Sequence, residues 1–172
     1  MHKLFRPTKR CLGWMMFFWL LCVSASSRAE EGHCAWLNDA TASGFLNGPV
    51  TLDLESAPGD QVICVFTNQK TAKDYAALRI MVQPLKDGTK AVTSHRFLCT
   101  SAPTSLKAIG NEAVACSADV GYSRGEQVIG RVRERLFIVT VSSTIAQDPA
   151  MTRQLLREKA RNIAEQVAGA LF

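Results

Sequence analysis

Four cysteines, Cys34, Cys64, Cys99 and Cys116, stand downstream of a leader-like N-terminus, and that combination constrains the chain more than any other feature. Met1 to Arg10 is basic, Cys11 to Val23 is almost wholly apolar, and the small residues Ser24 to Ser27 follow. This is the order of an export signal. The apolar run falls short of the roughly 20 residues that a helix needs to cross a bilayer, so cleavage is expected rather than permanent insertion. Ser27 and Ala29 are suitably small for a cut before Glu30. The expected organisation is a signal peptide over 1–29 and one exported domain over 30–172. No small residue stands immediately before Cys11 or Cys22, which argues against lipid attachment there.

In an oxidising compartment four cysteines imply two disulfides with three possible connectivities. Cys34 with Cys64 and Cys99 with Cys116 is the favoured pairing. The first would tie an N-terminal helix to a strand, and the second a helix and loop to another strand. Each should contribute about 3 to 4 kcal/mol through loop closure. No Cys-x-x-Cys pair is present, so the usual redox site is missing. His95, Cys99 and Cys116 lack the paired short spacings of a structural zinc site, and neither metal nor cofactor is expected.

Charge excludes one class of partner. Five of the 20 basic residues precede Glu30, leaving 15 against 15 acids in the expected mature chain. A nucleic-acid binder needs a basic footprint to neutralise phosphates, and this body is formally neutral.

Hydrophobic periodicity predicts the elements. Asn38 should cap a short helix over Ala40 to Leu46, with Gly48 and Pro49 ending it. Val50, Leu52 and Leu54 alternate with polar residues as in a half-exposed strand. Pro58-Gly59-Asp60 turns that strand into Gln61 to Thr67, and Leu78, Ile80 and Val82 mark a third strand over Ala77 to Pro84. Asp87-Gly88 breaks the pattern, Thr89 to Leu98 reads as a short helix, and Pro103 to Lys107 as irregular chain. Strands follow over Ala113 to Ala118, Glu126 to Arg133 and Leu136 to Ser143. Asp148 should then cap a long helix with Pro149 in its first turn and a stripe of Met151, Leu155, Ile163, Val167 and Leu171. Arg153, Arg157, Glu158, Arg161 and Glu165 would face water. The class is α+β: an antiparallel sheet of about six strands, with a short N-terminal and a long C-terminal helix packed on it.

His33-Cys34-Ala35-Trp36-Leu37 before a short Ala-rich helix, the Cys64-Val65-Phe66 strand, the strand Leu78 to Val82 and the segment Leu106 to Ala113 together resemble a known group. They are similar to the small exported domains of unknown function in actinobacterial lipoproteins, and to the extracellular sensor domain of a mycobacterial receptor serine/threonine kinase. The resemblance implies a curved sheet, disulfide support and a binding or sensing role in the cell envelope, with no catalytic residues. The lipid-attachment cysteine of those lipoproteins and the attached kinase are both missing from this sequence.

Reactive constellations are thin. Ser94-His95 could be drawn into a hydrolase triad, but no Gly-x-Ser-x-Gly elbow accompanies it. Arg131, Arg133 and Arg135 recur at alternate positions and would present either one cationic stripe to an anion or an acidic partner, or the solvated face of a hairpin with Glu126 and Glu134 nearby to offset it. Trp36 is the one tryptophan after Glu30 and is expected to pack over the Cys34 bridge, while Tyr122 sits in a Gly/Ser-rich loop. Trp36, Tyr122, Arg131 and Arg133 are the candidate contacts for a small ligand or an envelope protein. The expected function is noncatalytic binding by a monomer without stable membrane insertion. The alternatives are an enzyme using a free cysteine or the Ser94-His95 pair, and a structural accessory of an envelope complex.

Overall fold

The computed structural model describes residues 32–85, 91–145 and 148–172. The expected signal peptide, its cleavage site and the Asp87-Gly88 break lie outside them.

Seven antiparallel strands form one open sheet in the order β1-β2-β3-β7-β6-β5-β4. They are β1 (Thr51–Ala57), β2 (Gln61–Gln69), β3 (Tyr75–Pro84), β4 (Thr104–Leu106), β5 (Glu112–Ser117), β6 (Arg124–Val132) and β7 (Arg135–Ser143). The expectation of about six strands is therefore corrected: Pro103 to Lys107 contains β4, which pairs through Thr104 with Ala115 and through Leu106 with Ala113. Three residues carry too little alternation to signal a strand, and only the partner strand makes one of them. The sheet has two free edges, β1 and β4. On the edge strand β1 the inward position Leu54 stays 39% exposed, although Gly32 lies close to its side chain.

Helix α1 (Asp39–Leu46) is capped by the Asn38 side chain, which accepts the Thr41 N–H at 2.8 Å, and it packs on β2 and β3. Helix α3 (Arg153–Leu171) packs on β6 and β7 on the same face. Lys159 joins the two helices by donating to the Phe45 carbonyl at 2.5 Å. Burial pushes the Lys159 ammonium below its usual range, and Asp148 only partly offsets this. Between helices and sheet lie Phe66, Leu78, Ile80, Phe137, Val139, Leu156, Ile163 and Val167, all fully buried. The opposite face carries a smaller cluster of Val92, Val114, Ile129, Leu136 and Ile138 under a third, four-residue helix, α2 (Ala91–Ser94). Helices thus flank the sheet on both sides.

The start of α3 differs from its sequence reading. Asp148 caps a separate 3-10 turn, Pro149–Met151, and Thr152 caps α3 itself through the Leu155 N–H. The buried stripe is Leu156, Ala160, Ile163, Ala164, Val167 and Ala168, so Leu156 replaces Leu155. Small alanines occupy half of it, which lets the helix approach the sheet closely.

Both disulfides join the favoured pairs, Cys34 with Cys64 and Cys99 with Cys116, with Cα separations of 5.8 and 5.6 Å. The first fastens the chain before α1 to β2. The second fastens the 3-10 turn after α2 to β5, and Gln127 braces it by donating to the Leu98 carbonyl at 2.9 Å. Among the described residues no helix is long and apolar enough to cross a membrane.

Candidate functional site

The β6–β7 hairpin turns through Arg133 and Glu134 without a glycine. Arg133 has φ +50°, in the left-handed region where a non-glycine residue is strained by about 1 to 2 kcal/mol. Two contacts hold it there. Its N–H donates to Asn111 Oδ1 at 2.6 Å, and its carbonyl accepts from Arg131 Nη1 at 3.0 Å. Next to the turn, Gly130 lies opposite Phe137, and a Cβ there would fall 2.3 Å from the ring Cζ. Only glycine lets Phe137 fold flat over β6 and fill the core beneath the hairpin.

An open concavity of about 740 Å³ lies at this tip, walled by Trp36, Pro84, Arg133, Arg135 and Leu171. Trp36 is half-buried against the main core, so its ring has one packed and one accessible side. The Arg133 guanidinium lies 6.0 Å from the centre of the Phe172 ring. Glu134 is the one acid on the wall. Arginine at a φ that favours glycine, beside a second arginine and a half-exposed indole, gives the concavity a cationic and aromatic character suited to an acidic group.

The four candidate contacts do not converge. Trp36 and Arg133 share this concavity. Arg131 turns back onto the Arg133 carbonyl and leaves the expected cationic stripe, because the left-handed kink at Arg133 breaks the alternation. Tyr122, 99% exposed, lies at the other end of β6, about 30 Å away by strand rise. It belongs instead with Phe97, Leu98 and Val120 among the exposed large apolar residues. Leu98 and Val120 border a shallow groove with Met81 and Ile138 on the α2 face.

A second polar constellation escaped the sequence reading. Glu126 is 1% exposed and accepts from Ser117 Oγ (2.8 Å), Arg153 Nη1 (2.8 Å) and Arg157 Nε (3.1 Å). Arg153 also grips Asp119 with Nη2, at 3.1 and 3.0 Å from its two oxygens. Burial alone would raise the Asp119 carboxyl, but the Gly125 N–H and the Arg153 guanidinium outweigh it and hold it below the usual carboxylate range. Arg153 is correspondingly pushed up, chiefly by its bonds to Asp119 and Glu126. Arg153, expected to face water, is part-buried, and Arg157 stays exposed as expected while its Nε reaches Glu126, so both tie the first turns of α3 to the sheet. The signal was present in β6: alternation through Val128, Gly130 and Val132 puts Glu126 on the inward phase. A buried acid there needs a cation from elsewhere.

The four described cysteines are all bridged. Ser94 Oγ lies 3.2 Å from His95 Nδ1, and His95 Nε2 lies 3.5 Å from the Gln83 amide nitrogen. Among the described residues no group of three or more His, Cys, Asp or Glu side chains is placed to hold a metal. Compared with known proteins, the chain matches no family model, no curated protein and no solved structure.

Proposed function

We propose that this chain is a noncatalytic module exported to the cell envelope, where the concavity at the β6–β7 hairpin binds an acidic group on a small ligand or a partner protein. The reading rests on one observation: Arg133 is kept at a backbone angle that favours glycine, with Arg135 and the half-buried Trp36 on the same wall. The two disulfides and the export-like leader support an oxidising location outside the cytoplasm. The resemblance to exported sensor-like domains supports the same place and role.

Site-specific photocrosslinking in the envelope tests it. A crosslinker at Pro84, on the concavity wall, should capture a discrete species that is lost when Arg133 and Arg135 are both changed to Glu. A crosslinker at Tyr122 should not capture that species. Capture at Tyr122 alone would overturn the reading in favour of a structural accessory that docks through the apolar residues of the α2 face. The enzyme alternative has its own observation, the Ser94 to His95 contact. Labelling of Ser94 by a fluorophosphonate would favour it.

A further inference from the structure

Helix α3 lies over β6 and β7 and α1 over β2 and β3, which leaves the β4–β5 end of that face beyond both helices. The inward residues of β5 are small, Ala113 and Ala115, so β5 leaves space along the flank of α3. A cavity of about 240 Å³ results, with Ala102, Thr104, Leu106 and Ala115 on its walls. At roughly 30 Å³ for each water-sized group, it has room for about eight carbon-sized groups. It is separate from the hairpin concavity and shares no wall residue with it.

The rim supplies a head-group contact. Arg157 and Arg161 stand one helical turn apart and both border the cavity. Each uses only its Nε in the contacts it makes among the described residues: Arg157 with Glu126 at 3.1 Å, and Arg161 with Glu165 at 3.1 Å. Both side chains are more than half exposed, at 58% and 54%, so their terminal nitrogens are accessible from solvent. Paired guanidinium edges suit a carboxylate in two-point contact. Glu158 is the one acid on this rim, and it is engaged by Gln154 Nε2 at 3.0 Å. A mostly apolar pocket with a few convergent polar groups at one end is the usual form of a small-ligand site.

We propose that this cavity binds a medium-chain aliphatic monocarboxylate, with the alkyl chain along Leu106 and Ala115 and the carboxylate held by Arg157 and Arg161. This is independent of the hairpin concavity, so either site can fail alone.

Titration of the purified protein, both disulfides formed, with butanoate, hexanoate and octanoate below its micelle concentration tests it. Amide NMR shifts would serve as the readout. Affinity should rise about fourfold per added methylene, with shifts at Leu106, Ala115 and residues 157–161. Octanol should bind at least about tenfold more weakly than octanoate, because it lacks the charge-assisted contact. Arg161→Gln should weaken octanoate about tenfold and leave octanol unchanged. Ala115→Leu, which fills the cavity, should abolish binding of both. If Ala115→Leu fails to fold, the Arg161→Gln comparison decides alone. Equal affinity for butanoate and octanoate, equal affinity for octanol and octanoate, or shifts confined to Leu98, Val120 and their neighbours would each overturn the assignment.

Discussion

The two halves of α3 are held to the same sheet by different physics. Its first turns are anchored by charge, with Arg153 and Arg157 reaching Glu126 and Asp119, whereas its second half is held by Ile163, Ala164, Val167 and Ala168 pressed against aliphatic strand residues. The apolar half gains from area removed from water, a contribution with no titrating group and no ion pair for salt to screen. The charged half gains from pairing a carboxylate that would otherwise be costly to bury, and it is conditional on every partner being present. One helix can therefore be robust at one end and responsive at the other.

Substitutions separate the halves, and the largest effect is expected in the apolar one. Ile163→Ala should destabilise by about 3 to 4 kcal/mol, combining lost transfer free energy with a cavity, as read from urea unfolding. Arg153→Met should cost about 2 to 3 kcal/mol. It leaves Glu126 buried with fewer partners, and solvent screening of the partly exposed guanidinium reduces the full penalty of breaking a buried pair. Equal losses in low and high salt for Arg153→Met would remove the electrostatic account of this end. Arg157→Ala should cost about 1 kcal/mol, more than a surface arginine, because its partner is the buried Glu126. Arg161→Ala breaks only an exposed pair with Glu165 and should cost no more than about 0.5 kcal/mol. A reversed order of Arg157 and Arg161 would mean that Arg157 is not engaged with the sheet.

The same contrast explains what could be read from the sequence. Ile163 and Val167 were legible as a helical stripe, Leu78, Ile80 and Val82 as a strand face, and the cysteine pairs as staples, since all are local periodicities or compartment chemistry. Arg153 and Arg157 were not, because their meaning depends on Glu126, some 30 residues away and on a different element. Periodicity places a charge on a helix face but says nothing of what that face meets. Leu155 stood in for Leu156 because a strict four-residue step drifts by about 40° each time: two steps before Ile163 it is about 80° off the buried face, whereas Leu156, seven residues before Ile163, lies within about 20° of it. The candidate site was half legible. Trp36 and Arg133 border one concavity, and the left-handed turn that places Arg133 there carries neither glycine nor asparagine to announce it.

The claim that α3 is held by charge at one end and by apolar packing at the other is tested most directly by native-state amide exchange along the helix as pH is lowered. The Asp119 carboxyl titrates lower in the folded chain than in the unfolded one. Its contribution is thus fully present above the unfolded value of about 3.9 and is lost as pH falls through the folded value. The account predicts that amides of residues 157–160 lose protection below about pH 4, before those of residues 164–168 do. Protection lost at one pH along all of α3, or first at residues 164–168, would contradict it.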